Sequence, residues 1–453
     1  MNGRTAEINQ KISTNIAQKT KGFSAFLNNV FTLGQRNVAL KTLATSINTG
    51  QLLDPKYEKY LPQSTLSLYK QLKVAVEDGN TLRSLWDNRN PIPLGAGGFG
   101  EVYGSSDGKY VFKKMKAIAD ADDIESEISA NKILMSGMQT MQQSSEAFYT
   151  QSVDFVTAYK GVFNLEGEDV IVFERAPGSE MGKYLGDNSI RNSNDLTVHS
   201  RMCAEFANSI AVTHKAGLVH RDIKPENAMV HVAPDGIVTT KLIDQGEACQ
   251  NTDKNKLSRR AGTSNFMAPE YLKLPRIISS AVDVYALGIT LVNNFFNKAP
   301  IQDFVSDGFW KEDNPLSADE VKTINTKIQQ YAPGCDIASF NRQNFFEKIL
   351  ANPEKYKPLF DQNNVYSTDQ FQFLCGLIRD CVNPDPAARP SAAQVGYCLE
   401  FFAACMDDNA RIEAHNAKPE NRDNQLEKVT IPPYQDIMAL AKEDRPVKQE
   451  QPA

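Results

Sequence analysis

The segment HRDIKPEN, from His220 to Asn227, decides the fold prediction for this chain. It brings together the carboxylate of Asp222, the ammonium group of Lys224 and the carboxamide of Asn227. Phosphoryl transfer needs this combination, because the substrate hydroxyl proton needs an acceptor, the moving phosphate needs a cation, and Mg²⁺ needs a neutral oxygen ligand. A string of eight residues can still arise by chance, so the neighbouring segments decide whether this interpretation holds.

Three further segments accompany this one. LGAGGFGEVYG (Leu94–Gly104) precedes it, and IDQG (Ile243–Gly246) and MAPE (Met267–Glu270) follow it. The first contains GxGxxG, which joins a strand to a helix in dinucleotide-binding folds. Here Glu101–Tyr103 follows, and the turn residues Ser105–Gly108 predict a hairpin to the next strand. The glycines therefore join two strands, where backbone N–H groups can approach phosphate oxygens. No GxxxxGK[ST] string occurs, and a P-loop NTPase is therefore unsupported.

Together the four segments resemble the eukaryotic-type protein kinase family, and the resemblance covers residues 91–405. It implies an α+β fold with a β-rich N-lobe (91–176) and an α-helical C-lobe (177–405). It also implies a serine/threonine protein kinase that transfers the γ-phosphate of Mg-ATP to protein hydroxyls, since Lys224 stands two residues after Asp222 as in Ser/Thr-directed members. Protein substrates are then the expected partners, and ATP and Mg²⁺ the expected cofactors.

The resemblance places ATP against the glycine-rich segment, the next strand and the interlobe hinge. Tyr110–Lys113 resembles the family's VAIK, so Lys113 is expected on the α- and β-phosphates and paired with Glu127. Lys114 is the alternative, but strand alternation favours Lys113, because Val111 and Lys113 then share one face. The residues implied to contact nucleotide are Leu94, Gly95, Ala96, Gly97, Gly98, Phe99, Gly100, Val102, Lys113, Glu174, Ala176 and Met229.

The resemblance also assigns the catalytic roles. Asp222 is expected to accept or orient the substrate hydroxyl proton and Lys224 to neutralise the γ-phosphate, with Lys113 and Glu127 completing the set. Asn227 and Asp244 are the expected Mg²⁺ ligands, through hard oxygens. Supporting roles are implied for further residues, namely Thr263 beside Asp222, Asp283 as anchor of the catalytic-loop backbone, Phe173 as gatekeeper, and Glu270 paired with Arg389.

Arg221 makes the catalytic loop one of the type that commonly contacts a phosphorylated activation loop. Thr252 and Ser258 lie in the corresponding loop and are candidate phosphorylation sites. Such loops are rich in serine and threonine in any case, so this remains a hypothesis.

One residue departs from the family pattern. Gln245 stands where the family carries the Phe of DFG, and Asn131 stands four residues after Glu127, where an apolar side chain is usual. Two neighbouring carboxamides can hydrogen-bond to each other, and neither is then left buried and unpaired. We therefore predict that the Gln245 and Asn131 side chains lie close together.

The regions outside the kinase-like motifs differ from them in residue pattern and composition. Residues 1–90 carry apolar residues at helical spacing around 23–31 and 66–72, which predicts a helical extension that braces the next domain or binds a partner. The stretch 298–369 is long for the family and predicts an insertion in the C-lobe. Residues 406–453 turn polar, which predicts a disordered tail with one short helix near 436–442.

Composition sets limits on the class of protein. Hydrophobic residues make up 41% and charged residues 23% of the 453-residue chain, as in ordinary globular proteins. The net charge of −6 argues against general nucleic-acid binding. Seven cysteines without a CxxC pair, and no apolar leader or membrane-span stretch, favour a cytoplasmic protein with reduced thiols. A protein that is secreted into a host cell by a leaderless route would show the same sequence features.

Two other functions stay open on the sequence. In the first, the unusual Gln245 uncouples the lobes and the chain is a pseudokinase scaffold. In the second, the fold is kept but the enzyme phosphorylates a non-protein acceptor, or transfers nucleotide instead. The intact Lys113, Asp222, Asn227 and Asp244 disfavour the scaffold. The divergent hinge and the additional helical ends also resemble kinases that intracellular bacteria inject into host cells, that is, secreted effectors.

Overall fold

The chain folds into two units. The computed structural model describes residues 81–96, 100–116, 121–142, 155–165, 168–188, 190, 192–271, 278–296, 345–361, 364–418, 421 and 424–441, and the single residues 56, 58, 61, 66, 70, 319, 322 and 326. The first unit comprises Met1–Ile124 and Ala158–Arg175, and the second comprises Glu125–Thr157 and Ala176–Ala453.

The first unit is built on an antiparallel sheet of five strands in the order β1-β2-β3-β5-β4. The strands are β1 (Gly95–Ala96), β2 (Gly100–Gly104), β3 (Tyr110–Met115), β4 (Tyr159–Leu165) and β5 (Glu168–Glu174). The predicted hairpin between β2 and β3 is confirmed, because Ser105 N–H donates to the Tyr110 carbonyl at 2.9 Å. The side chain of Phe112 is fully buried against Trp86 on one face of β3. The period of two places Val111 and Lys113 on the opposite face, as predicted, whereas Lys114 shares the face of Phe112 and pairs with Glu168.

A helix over residues 81–87 covers one face of this sheet. Trp86 is buried and makes edge contacts with Tyr103 and Phe112, with ring centroids 5.4 and 5.6 Å apart. The Arg89 guanidinium lies 3.7 Å from the centre of the Trp86 ring. The described end of the N-terminal extension therefore braces the sheet. The predicted helical run at 23–31 and most of that at 66–72 lie outside the described residues.

The second unit is mainly helical, and side-chain caps explain where several of its helices begin. Its helices are α1 (Ala121–Gln142, from Glu125 onwards), α2 (Met181–Asp187), α3 (Ser193–Lys215), α4 (Lys254–Leu257), α5 (Ala281–Phe295), α6 (Phe345–Ala351), α7 (Pro353–Tyr356), α8 (Thr368–Cys381), α9 (Ala392–Asn416) and α10 (Tyr434–Leu440). Ser367 and Ser391 form capping boxes at the starts of α8 and α9. Helices α3 and α9 pack along each other, and α5 is buried along nearly its whole length.

Helix α1 joins the core of the second unit. Ala130, Leu134, Met138 and Met141 on one side of α1 are buried in the same cluster as the apolar residues of α3 and α5. The predicted N-lobe (91–176) includes this helix, whereas the contacts of the helix from Glu125 onwards are with the helical unit.

Short strands in the second unit frame the HRDIKPEN segment. Strands β7 (Leu218–Val219) and β10 (Cys249–Gln250) pair antiparallel, and β6 (Ser179–Glu180), β8 (Ala228–Val232) and β9 (Val238–Leu242) form a second small sheet. The segment therefore runs from the end of β7 to the start of β8, so that both of its ends are fixed.

The prediction of a disordered tail from residue 406 is wrong for residues 406–418 and 424–433, whereas the short helix predicted near 436–442 is found as α10 (Tyr434–Leu440). Helix α9 continues to Asn416, and α10 packs back onto α8 and α9. Tyr434 lies against Phe373, with ring centroids 5.8 Å apart, and a side chain at Gly376 would place its Cβ 3.0 Å from the Tyr434 ring. Ile437 is buried beside it. The apolar side chains of α10 are sufficient to hold an otherwise polar stretch.

The structure describes only part of the region predicted as an insertion in the C-lobe. Of the predicted insertion (298–369), residues 298–344 lie outside the described residues apart from 319, 322 and 326. Helices α6 and α7, within the same range, contribute Phe346, Ile349 and Tyr356 to the core. The six cysteines within the described residues are free and buried. Among the described helices, none combines the length and the apolar character that a membrane crossing requires.

Candidate active site

The Asp222 carboxylate is held by donors from three residues. Thr263 donates to Oδ1 through its backbone N–H at 2.9 Å and its hydroxyl at 2.8 Å. Lys224 Nζ lies 2.7 Å from Oδ2, and Asn227 Nδ2 donates to the same oxygen at 3.0 Å. Lys224 also donates to the Thr263 hydroxyl at 2.8 Å, which closes the network. A carboxylate, an ammonium group and a hydroxyl are thus fixed within hydrogen-bond distance of one another, as the sequence predicted for Thr263.

A buried carboxylate anchors the backbone of this loop. Asp283, at the start of α5, accepts the N–H groups of His220 and Arg221, each at 2.8 Å, and His214 Nε2 lies 2.9 Å from it. Burial alone would raise the pKa of Asp283, but the hydrogen bond from His214, the two nearby imidazoles and the Arg221 N–H together hold this pKa below its ordinary value. The predicted anchor is confirmed.

Left-handed backbone occurs at three points around the site. Arg221 has φ +70° and Asp244 has φ +62°, a conformation that is costly for residues with a side chain and is often retained at functional sites. Gly262 has φ +89°, and a Cβ there would lie 2.1 Å from the Arg221 carbonyl oxygen. Only glycine fits this position, and its close approach brings Thr263 onto Asp222.

His220 connects the catalytic loop to the segment that carries Asp244. The backbone N–H of Asp222 donates to His220 Nδ1 at 3.3 Å, and His220 Nε2 lies 3.4 Å from the Ile243 carbonyl. These partners require the neutral tautomer with the proton on Nε2, because Nδ1 must accept. The imidazole therefore ties the orientation of Asp222 to the strand end before Asp244.

The two predicted Mg²⁺ ligands have suitable oxygen atoms. Asn227 uses its Nδ2 on the backbone and side chain of Asp222, so its Oδ1 points elsewhere and accepts no hydrogen bond within the described part of the chain. Asp244 accepts the Gly246 N–H at 3.3 Å. Within the described residues there is no group of three or more His, Cys, Asp or Glu side chains that could hold a metal, so the remaining ligands would be phosphate and water oxygens. This donor set fits Mg²⁺.

The predicted nucleotide residues fall in both units. In the first unit, Leu94 is exposed, Gly95 and Ala96 form β1, and Gly100 and Val102 lie in β2. Lys113 lies in β3, opposite Val102 of β2 and Ile171 of β5. Phe173 of β5 pairs with Val111, and Glu174 is the last residue of β5. In the second unit, Ala176 is buried and Met229 is half-buried in β8. Gly97, Gly98 and Phe99 lie outside the described residues. Glu127 is buried on α1, and its pairing with Lys113 stays a prediction.

The structure shows no hydrogen bond between Gln245 and Asn131, and the predicted closeness of their side chains stays a prediction. Asn131 Nδ2 donates instead to the carbonyl of Glu127, one turn back in its own helix, at 2.9 Å. Gln245 is buried, and its Oε1 has no hydrogen-bond partner among the described residues. The backbone acceptor was available within the helix, and it satisfied Asn131 without the second carboxamide.

We expect Gln245→Met to raise the free energy of unfolding by about 1 kcal/mol, because a buried acceptor without a donor is replaced by a side chain of similar length. Urea denaturation of the two proteins measures the difference. Gln370→Met, at a half-buried capping position, is the comparison and should lower stability instead. A loss of stability in Gln245→Met would contradict the unpaired acceptor.

The structure also confirms the predicted Glu270–Arg389 pair. Arg389 donates from Nη1 and Nη2 to the two carboxylate oxygens of Glu270, at 2.6 and 2.9 Å. The same guanidinium reaches the carbonyls of Ala281 and Asn383. The Arg389 side chain is fully buried, and with these acceptors it acts as a structural clamp.

Sequence reasoning missed two residues that shape the site. His214 completes the set of donors around the Asp283 carboxylate, and Gly262 permits the close approach of Thr263. A polar ring near the end of the largely apolar helix α3 was the only signal for His214. The signal for Gly262 was its position immediately before Thr263.

Comparisons with known proteins agree with this geometry. The protein kinase domain profile matches residues 91–398. The chain is 24% identical over 359 residues to cysteine-rich receptor-like protein kinase 26 of Arabidopsis thaliana, covering 74% of this chain and 47% of that protein. It is 27% identical over 218 residues to rhodopsin kinase GRK7 of Sus scrofa, covering 47% of this chain and 36% of that protein.

A third relative is the probable serine/threonine-protein kinase gdt4 of Dictyostelium discoideum, 25% identical over 214 residues, with 46% of this chain and 12% of that protein covered. The chain thus spans less than half the length of these curated relatives. Because the domain profile covers more than half of the 453 residues, the chain belongs to the protein kinase family.

Proposed function

We propose that this protein transfers the γ-phosphate of Mg-ATP to serine and threonine hydroxyls of protein substrates. The observation that carries the proposal is the Asp222 carboxylate, fixed by Thr263 and lying 2.7 Å from the Lys224 ammonium group. A substrate hydroxyl beside Asp222 forms a new O–P bond to the γ-phosphorus while the bond to the β–γ bridging oxygen breaks. The hydroxyl proton passes to Asp222, and ADP is the leaving group.

Lys224 and Thr263 support this step from the same loop network. The Lys224 ammonium group lies between the Asp222 carboxylate and the Thr263 hydroxyl, where it can stabilise negative charge on the transferred phosphate. Lysine two residues after the aspartate is the pattern of Ser/Thr-directed kinases, and this supports aliphatic hydroxyls as acceptors.

ATP and Mg²⁺ complete the proposed site. Asn227 Oδ1 and the Asp244 carboxylate would hold Mg²⁺, which when bound neutralises phosphate charge. The backbone of the glycine-rich segment and Lys113 would hold the phosphates, and Glu174 and Ala176 the adenine. The Lys113–Glu127 pair, phosphorylation of Thr252 or Ser258, a partner for residues 1–90 and an effector role in a host cell all stay predictions.

Transfer of labelled γ-phosphate from Mg-ATP tests the proposal. The purified protein and its Asp222→Ala variant are incubated with a generic basic protein and a generic acidic protein as acceptors, followed by phosphoamino-acid analysis. We expect phosphoserine or phosphothreonine with the unaltered protein only. ATP binding without any transfer would instead favour the pseudokinase scaffold, and transfer only to small molecules would favour a non-protein acceptor.

We expect Lys114→Met to keep the rate of phosphoryl transfer within about twofold, because Lys114 is occupied by Glu168 at 2.7 Å and that bond raises its pKa. A half-exposed ion pair of this kind contributes at most about 1 kcal/mol to stability. Steady-state kinetics and thermal melting measure both effects. A loss of activity comparable to that of Lys113→Met would show that Lys114 is the phosphate-binding lysine.

A further inference from the structure

A basic segment lies next to the catalytic network. Residues 254–260 read KNKLSRR and carry four cationic side chains without a single acidic one, in a chain whose net charge is −6. Lys254, Arg259 and Arg260 are exposed, and Lys256 is half-buried. Four positive charges in seven residues produce a local positive potential on a protein that is negative overall.

These four charges are not neutralised within the described residues, where none of them forms an ion pair. Lys256 Nζ donates to the Ser126 hydroxyl of α1. Arg260 Nε donates to Met267 Sδ at 3.2 Å. The carboxylate of Asp253 caps the backbone N–H groups of Asn255 and Lys256 rather than a cationic side chain. Within the described part of the chain, the positive charge of this segment is therefore not neutralised by a carboxylate.

The basic segment is also close to the reacting carboxylate. Arg260 stands two residues before Gly262, whose hypothetical Cβ lies 3.4 Å from Asp222 Oδ1. Two residues span at most about 7 Å of extended chain. Met267, which contacts Arg260, lines a pocket together with Asp222, Thr263 and Phe266. Arg259 and Arg260 thus lie at the edge of the place where an acceptor hydroxyl would be bound.

The segment is held in place at both ends. Arg221 Nη2 donates to the Arg259 carbonyl at 3.0 Å, and the buried Leu257 fixes the short helix α4. At the other end Thr263 is bound to Asp222. The backbone that carries Arg259 and Arg260 is consequently ordered before any ligand arrives, which lowers the entropic cost of binding.

The catalytic loop itself carries one acidic side chain besides Asp222, that of Glu226. The exposed Glu226 approaches Gly182 of α2, with its Oε1 3.4 Å from where a Cβ would stand. It follows Lys224 in the catalytic loop, whereas the basic segment precedes Thr263 in the chain. An acidic group of a ligand is therefore expected beside Arg259 and Arg260 rather than beside Glu226.

We propose that the protein substrates carry acidic residues within about three positions of the acceptor serine or threonine, bound by Arg259 and Arg260. This inference rests on the proposed kinase function and adds the substrate class. Aspartate, glutamate and phosphorylated residues share the required chemistry.

Peptides that differ only in their flanks test this inference. A single acceptor serine is flanked by glutamate, phosphoserine, glutamine or arginine, and kcat/KM is measured at low and physiological salt. We expect the glutamate or phosphoserine peptide to exceed the glutamine peptide by about tenfold, mainly through KM, with the advantage falling as salt screens the charges. The phosphoserine arm shows whether prior phosphorylation is preferred over acidic side chains.

Charge reversal provides the matched variants. R259E/R260E should invert the order of the peptides, and R411E, an exposed reversal in α9, should leave it unchanged. R260Q, a milder change, should reduce the preference and guards against misfolding of the double variant. Wild-type preference for arginine flanks, or equal rates, would overturn the inference while leaving the kinase activity established.

If no peptide is phosphorylated, the proposed function fails, and peptide binding decides the inference separately. Fluorescence anisotropy should then still show salt-sensitive binding of the glutamate peptide that R259E/R260E abolishes. Sedimentation with vesicles of phosphatidylserine and phosphatidylcholine is run beside it. Vesicle binding lost in R259E/R260E, together with no peptide preference, would identify the segment as a membrane contact and overturn the proposal.

Discussion

Asp222→Asn is expected to lower kcat by a factor of about 10² to 10⁴, the range that general-base groups contribute. The carboxamide cannot take the substrate proton. It also mismatches the network, because its NH₂ would face either the Thr263 donors or the Lys224 and Asn227 donors that the carboxylate now accepts. Single-turnover transfer of labelled phosphate to the best peptide measures the loss.

Asp235→Asn is the matched control for this substitution. Asp235 is an exposed carboxylate in the turn before β9 and accepts the Ile237 N–H at 3.1 Å. Its replacement should leave kcat unchanged. If Asp222→Asn retained kcat while it melted like the unaltered protein, the carboxylate would not be the base, and the proposed chemistry would have to be assigned to another group.

Asp283→Ala is expected to lower the free energy of unfolding by about 3–5 kcal/mol. The substitution leaves the N–H groups of His220 and Arg221 and the His214 ring without their acceptor in a buried place. The catalytic loop then loses its anchor, so the rate of transfer should fall as well. Chemical denaturation measures the stability, and the kinetics are run well below the melting temperature.

Asp283→Asn separates charge from shape in the same experiment. The folded-state pKa of Asp283 lies below its ordinary value of 3.8, so its stabilising contribution is complete above that value and is lost as the pH falls towards the folded-state pKa. The stability difference between the unaltered protein and Asp283→Asn should therefore be constant near neutral pH and shrink below about pH 4. A difference that grows on acidification would contradict the depressed pKa.

The sequence predicted the parts of the fold whose geometry is set by neighbouring residues. The hairpin at Ser105–Gly108, the alternation around Phe112 and the network of Asp222, Lys224 and Thr263 are all found as expected. In each case a short spacing along the chain, or a motif read as a unit, fixes which atoms meet.

The sequence could not predict features that depend on competition between distant partners. Asn131 donates to the backbone carbonyl of Glu127 in its own helix and not to the carboxamide of Gln245. The tail after residue 406 is polar on average, yet Tyr434 and Ile437 on one short helix are enough to hold it. The left-handed backbone at Arg221 and Asp244 likewise has no sequence signal, because tertiary contacts impose it.

The packing of Tyr434 against Gly376 extends the folded unit beyond residue 398, where the match to the kinase domain profile ends. The two positions lie 58 residues apart in the sequence and share one space, so they should change together during evolution. Related chains with a small residue in place of Tyr434 have room for a bulkier side chain at position 376. Chains that keep the aromatic ring should keep glycine. Covariation between these two columns would therefore distinguish relatives that share this C-terminal helix from those that share only the catalytic fold.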